Sequence, residues 1–220
     1  MDELRPNGQR AKNAILLVSI VLAINVVALI SNFLQYNLLH NVANGGFITP
    51  DEANANDSTQ QIITIIYVIF FFISGVTFIQ WFRRAYYNLH LRVENLSHGE
   101  GWAAGSWFVP IMCLYRPLQI MKELYNVTDF YLSKKGIKID ANFTTKALTL
   151  WWTLWIVNNI LGQVIYRYTA DATSVDQLTT STILNIIDKI IEIPLALVTI
   201  KVIKDYSKIE PLLIEADNIQ

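Results

Sequence analysis

The sequence predicts an all-α integral membrane protein. It would have four transmembrane helices, a re-entrant or interfacial segment and a cytoplasmic-side amphipathic helix, in a single membrane domain over residues 1–220. Three observations point there. Hydrophobic residues make up 53% of the chain and charged residues only 16%, where soluble domains carry about 25% charged residues. The apolar residues gather in runs long enough to cross a hydrocarbon core of about 30 Å. Of the 17 Lys and Arg, all but Arg167 and Lys189 fall in segments that a single orientation places on the cytoplasmic side, as the positive-inside rule requires.

The first span is residues 14–39, behind Arg5, Arg10 and Lys12. A secretory signal has an apolar region of about 7–15 residues; this run is 26 residues long, and the A-x-A triplet at Ala53–Ala55 lies well beyond it, so an uncleaved span is expected. Residues 40–60 contain no Lys or Arg and hold Gly45, Gly46 and Pro50, which reads as a loop facing away from the cytoplasm. The second span, 62–82, has Phe70–Phe72 at its centre and Trp81 at its inner edge, and Arg83 and Arg84 stop it. Tyr86, Leu89, Val93 and Leu96 then recur every three or four residues, which extends a helical face toward Gly99 and Gly101.

Residues 102–115 are apolar but only 14 long, too short to span as a helix. If they did span, Lys122, Lys134, Lys135, Lys138 and Lys146 would all lie outside, against the charge rule. A re-entrant or interfacial segment bent at Pro110 is the consistent reading. Residues 117–133 form the amphipathic helix, with Leu118, Met121, Tyr125, Thr128 and Leu132 on one face. Gln119, Lys122, Glu123, Asn126 and Asp129 lie largely on the other. A basic connector over 134–142 leads to the third span, 147–166, which opens with Trp151, Trp152 and Trp155 as an aromatic belt. A polar outer loop, 167–182, precedes the fourth span, 183–203. The tail carries Lys201, Lys204 and Lys208, so both termini are expected in the cytoplasm.

The costliest polar residues sit in the fourth span. Asp188 and Glu192 are four apart and share a helix face, and Lys189 can reach Glu192. Glu192 is nine residues beyond Ile183, about 14 Å along a helix and so near mid-bilayer. Ionisable groups at that depth mark ion, proton or ligand sites, or else form a structural pair. With Asn158 and Asn159 of the third span they make the candidate ligand- or ion-binding set. Pro194 frees the carbonyl of Ile190 beside them. A second set, Arg83, Arg84, Arg116 and Lys122, is a candidate anion or lipid-headgroup site, with plain positive-inside anchoring as the alternative.

No catalytic, metal or cofactor set is expected. His40, His90 and His98 are scattered, Cys113 has no neighbouring His, and Ser106 has no histidine to activate it. A single cysteine excludes an internal disulfide, and a net charge of −1 gives no basic excess for nucleic acid. Two functions lead: a non-enzymatic module that binds a lipid, a small ligand or a membrane partner, and a small transporter or channel using the carboxylate pair. The second needs a homo-oligomer, since four spans leave little room for a central path. A bilayer-embedded enzyme comes third, since carboxylates and Arg alone can serve general acid–base work.

Several stretches resemble one bacterial membrane family, that of domain of unknown function 4328. Trp81-Phe82-Arg83-Arg84-Ala85 with Asn88-Leu89 is similar to its first signature. Gly101–Gly105, Trp107–Pro110, Arg116-Pro117 and Met121–Leu124 are similar to its second. Trp151-Trp152, Asn159 and Asp188–Leu197 are similar to its C-terminal pattern. Ser106 and His98-Gly99-Glu100 depart from the pattern. The resemblance implies the cytoplasmic membrane of a bacterium and carries no chemistry.

Overall fold

A computed structural model describes residues 3–216. Its described residues form seven α-helices and one 3-10 turn, with no strand: α1 Gly8–Ala43, α2 Pro50–His90, α3 Trp102–Gly105, the 3-10 turn Met112–Leu114, α4 Arg116–Lys134, α5 Lys146–Ala170, α6 Val175–Ile209 and α7 Leu212–Glu215. Three of these, α1, α2 and α5, are long and apolar enough to cross a membrane. Their surfaces are apolar where a soluble helix would be polar: Leu34 and Phe72 are exposed at 65% and 68%, and Ile160 at 61%. Such surfaces are compatible with lipid as the solvent. At 35 residues α6 is one residue shorter than α1, but Asp188, Lys189 and Glu192 interrupt its apolar run.

Two loops are shorter than the sequence suggests. Residues 50–60 are helical, because Thr49 and Glu52 form a capping box. The Glu52 carboxylate accepts from the Thr49 backbone N–H at 2.8 Å, and the Thr49 hydroxyl oxygen accepts from the Glu52 N–H at 3.2 Å. Pro50, read as a loop breaker, is the first helical residue, where its missing N–H costs nothing. Likewise α5 runs on to Ala170 and α6 begins at Val175. Ser174 and Gln177 cap that start reciprocally at 3.1 and 3.3 Å. Conversely, α2 ends at His90 rather than continuing to Leu96. The chain then turns through Asn95, whose positive φ of 65° is tolerable for asparagine.

The chain divides into two compact units. The first comprises Met1–Val18, Ile73–Trp152 and Val198–Gln220. Its core joins Trp81, Phe82, Ala85, Tyr86 and Leu89 of α2 to Ile120, Met121, Leu124, Tyr125 and Leu132 of α4 and to Val202, Ile203 and Tyr206 of α6, all at 2% exposure or less. The expected apolar face of α4 is therefore buried, apart from half-buried Leu118. Tyr125 stacks on Phe143 at 4.4 Å and its hydroxyl donates to the Val202 carbonyl at 2.9 Å. Residues 102–115 are pinned by Trp107, which meets the rings of Phe78 and Trp152 at 5.8 and 5.9 Å. The Trp152 indole N–H also donates to the Leu114 carbonyl at 2.9 Å. Phe108 and Ile111 point outward, 76% and 74% exposed.

The second unit comprises Ser19–Phe72 and Thr153–Leu197. Polar contacts knit it where apolar burial is sparse. The Gln60 carboxamide donates to the Ser31 hydroxyl at 3.0 Å, and Thr169 and Ser181 share a hydrogen bond of 2.6 Å.

Candidate functional site

The second unit holds a polar groove of about 560 Å³, lined by Tyr67 of α2, by Asn158, Asn159, Gly162, Gln163, Tyr166 and Arg167 of α5, and by Asp188, Lys189 and Glu192 of α6. All five residues expected from the sequence as a ligand set line it. Helical geometry explains the convergence. Asp188 and Glu192 lie one turn apart on α6, and Asn158, Gly162 and Tyr166 recur every fourth residue along α5. From Asn158 to Arg167 the groove follows α5 for about 14 Å.

Glu192 is the hub. One oxygen accepts from the Tyr67 hydroxyl at 2.5 Å and from the Asn158 carboxamide at 3.4 Å; the other accepts from Lys189 at 2.5 Å. The Lys189 ammonium also lies 3.1 Å from Asp188 and 4.3 Å from the centre of the Tyr67 ring. Both carboxylates are buried, Asp188 at 7% and Glu192 at 6% exposure. One ammonium thus faces two carboxylates. The second oxygen of Asp188 and the carboxamide oxygen of Asn158 are buried without a donor. Two stranded acceptors in one groove are costly unless a ligand or water supplies donors. Asn159 is exposed and donates to the Trp155 carbonyl of its own helix at 2.7 Å, so it lines the groove without joining the Glu192 network. The sequence does not reveal Tyr67: a tyrosine in an apolar run reads as one more aromatic until a carboxylate is placed beside it.

The four expected anion-site residues have separate surroundings in the first unit. Arg83 pairs with Glu100 at 3.2 Å, well exposed to solvent. Arg116 donates to the imidazole Nδ1 of His98 at 3.0 Å and lies over the rings of Trp102 and Tyr115 at 5.8 and 5.6 Å. Lys122 is half-buried on α4 and makes no ion pair among the described residues. Arg84 lies within electrostatic reach of Arg10, Arg5 and its neighbour Arg83. One common focus for the four is absent.

Two carboxylates in this unit were not singled out by the sequence. Glu210 is 7% exposed and accepts from the Asn7 carboxamide at 3.1 and 2.9 Å and from that of Asn88 at 2.7 Å. Burial pushes its pKa above the ordinary 4.5, and those hydrogen bonds and nearby Arg84 only partly oppose it. Glu123 accepts from the Tyr86 hydroxyl at 2.6 Å and from the Ser97 backbone N–H at 2.7 Å. Burial raises the Glu123 carboxyl too, but the bonds from Tyr86 and Ser97 together with His98 outweigh it, and its pKa falls below 4.5.

The fold and site together define a helical protein with membrane-compatible helices and a buried charged cluster. A family model, Domain of unknown function (DUF4328), matches residues 44–208, and the chain belongs to that family. The match includes the groove and all four residues of the expected anion set. No curated protein and no solved structure matches the chain.

Proposed function

We propose that this is a multi-pass bacterial inner-membrane protein whose groove binds a small organic cation carrying N–H donors. The observation behind the proposal is the pair of buried, donorless oxygens on Asp188 and Asn158, beside a cluster with two carboxylates and one ammonium. An ammonium head supplies the missing donors, and because the Arg167 guanidinium also lines the groove, the hydrogen-bond deficit rather than net charge carries the choice. The groove volume is in the range of small-molecule sites, and Tyr67 and Tyr166 give the body of the ligand aromatic surface. In this reading α6 is a fourth span, its charged residues turned from lipid into protein, and both termini are cytoplasmic. Residues 102–115 lie in the interface, with the exposed Phe108 and Ile111 dipping into it. The protein is a binding module rather than an enzyme.

The test is equilibrium binding of a primary-amine series, methylamine to phenethylamine, to the detergent-purified chain. Binding that Asp188→Asn weakens about tenfold or more supports the reading. Unchanged affinity in Asp188→Asn contradicts it. Flux of a bound amine in proteoliposomes would make the same site the binding step of an oligomeric transporter.

A further inference from the structure

We propose that the N-terminal segment and the last turns of α2 form a second site, one for a phosphate ester, built from Arg5, Arg10 and Arg84. Gln80, Arg84 and Tyr87 fall at i, i+4 and i+7 on one face of α2. The Arg10 guanidinium donates to the Gln80 carbonyl at 3.1 Å, and the Arg5 guanidinium lies 4.4 Å above the centre of the Tyr87 ring. Arg84 stands between these two anchor points, within electrostatic reach of both arginines. The arrangement is fixed from below. Asn88 accepts from the Arg5 N–H at 3.0 Å and donates to the Arg5 carbonyl at 2.9 Å, and Asn7 donates to the Trp81 carbonyl at 3.3 Å.

Three guanidinium groups are thereby held together. None of them makes an ion pair among the described residues. The buried carboxylate nearby, Glu210, has its oxygens occupied by Asn7 and Asn88 and balances one charge of three. Because the Asn7 side chain turns to Glu210, it does not cap the first amides of α1, whose positive end lies beside Arg10. An oxyanion with several acceptors and up to two charges is the natural complement, and arginine forks fit phosphate best. The same face of α2 continues through Val76 and Ile73, exposed apolar residues at 53% and 45%. They offer a track for an acyl chain, so a phospholipid is the favoured source of the phosphate.

The test titrates the full chain in micelles with two probes, dihexanoyl phosphatidic acid and glycerol 3-phosphate. Wild type should bind the lipid probe, and Arg84→Gln or the Arg5→Gln/Arg10→Gln pair should weaken it about tenfold. Arg84→Lys, which keeps the charge but not the fork, should bind between wild type and Arg84→Gln, and Arg116→Gln should leave binding unchanged. A lipid probe that binds well above glycerol 3-phosphate assigns the site to a headgroup; equal affinities assign it to a soluble phosphate ester. No binding of either probe by wild type, or affinities within about twofold in both arginine variants, would overturn the proposal.

Discussion

Glu210→Ala tests the buried polar joint that fixes the N-terminal segment. Removing the carboxylate leaves one hydrogen on each of the Asn7 and Asn88 carboxamides without an acceptor. Asn7 keeps the Trp81 carbonyl and Asn88 keeps the Arg5 carbonyl, so two donors are stranded rather than four. A stranded buried donor costs about 1–3 kcal/mol. Relief of the burial of a carboxylate returns part of that, leaving a net loss of about 3 kcal/mol. For a chain of this size the melting temperature should fall by about 6–12 °C, read by tryptophan fluorescence in a mild detergent. Asn88→Ala should cost a similar amount, since it also strands the Arg5 N–H. The double variant should show a coupling of about 1 kcal/mol or more. A Glu210→Ala protein that melts within about 1 °C of wild type would refute the reasoning, because the hydrogen bonds would then contribute no net stability.

Further outcomes follow from the same contacts. The folded-state pKa of Glu210 lies above its ordinary 4.5, so its contribution is fully present below pH 4.5 and fades as pH rises through the folded value. Glu210→Gln should flatten that loss in a pH-resolved melting series. Glu123 has the opposite sign: its pKa is lowered, so its contribution is present above pH 4.5 and lost as pH falls. Glu123→Gln should remove acid sensitivity from the turn after α2, measured as hydrogen exchange at Ser97. For the proposed topology, single cysteines introduced into a Cys113→Ala background should label from outside at Phe47, which is 81% exposed, and at Thr173, and from inside at Lys135. Outside labelling at Lys135 would reverse the orientation.

What the sequence made legible is what composition and period control. Apolar runs of 20 residues or more and the amphipathic face of α4 are local patterns that tertiary context has little power to hide. The length of the loops was hidden because Thr49-Pro50-Asp51-Glu52 reads both as a breaker cluster and as a capping box. Only the reciprocal hydrogen bonds decide between them. Asp188, Lys189 and Glu192 were visible because charge is costly in an apolar helix, whereas Tyr67 was not. The arginines show the limit most clearly. A shared cytoplasmic face groups Arg84 with Arg83, Arg116 and Lys122, but the helix face carrying Gln80, Arg84 and Tyr87 brings it to Arg5 and Arg10, more than seventy positions away in the chain. Glu210 lay in an unremarkable basic tail, and its partners Asn7 and Asn88 come from distant segments.

The most direct test of the groove is the binding of a primary amine to wild type and to Asp188→Asn in parallel, at fixed pH and ionic strength. The Asn side chain keeps the volume of Asp188 and removes its charge, so lost packing does not explain a difference. Saturable binding by wild type and a loss of about tenfold or more in the variant is the result predicted. Equal binding by the two proteins, or saturation by neither, would contradict a cation site at Asp188, Asn158 and Glu192.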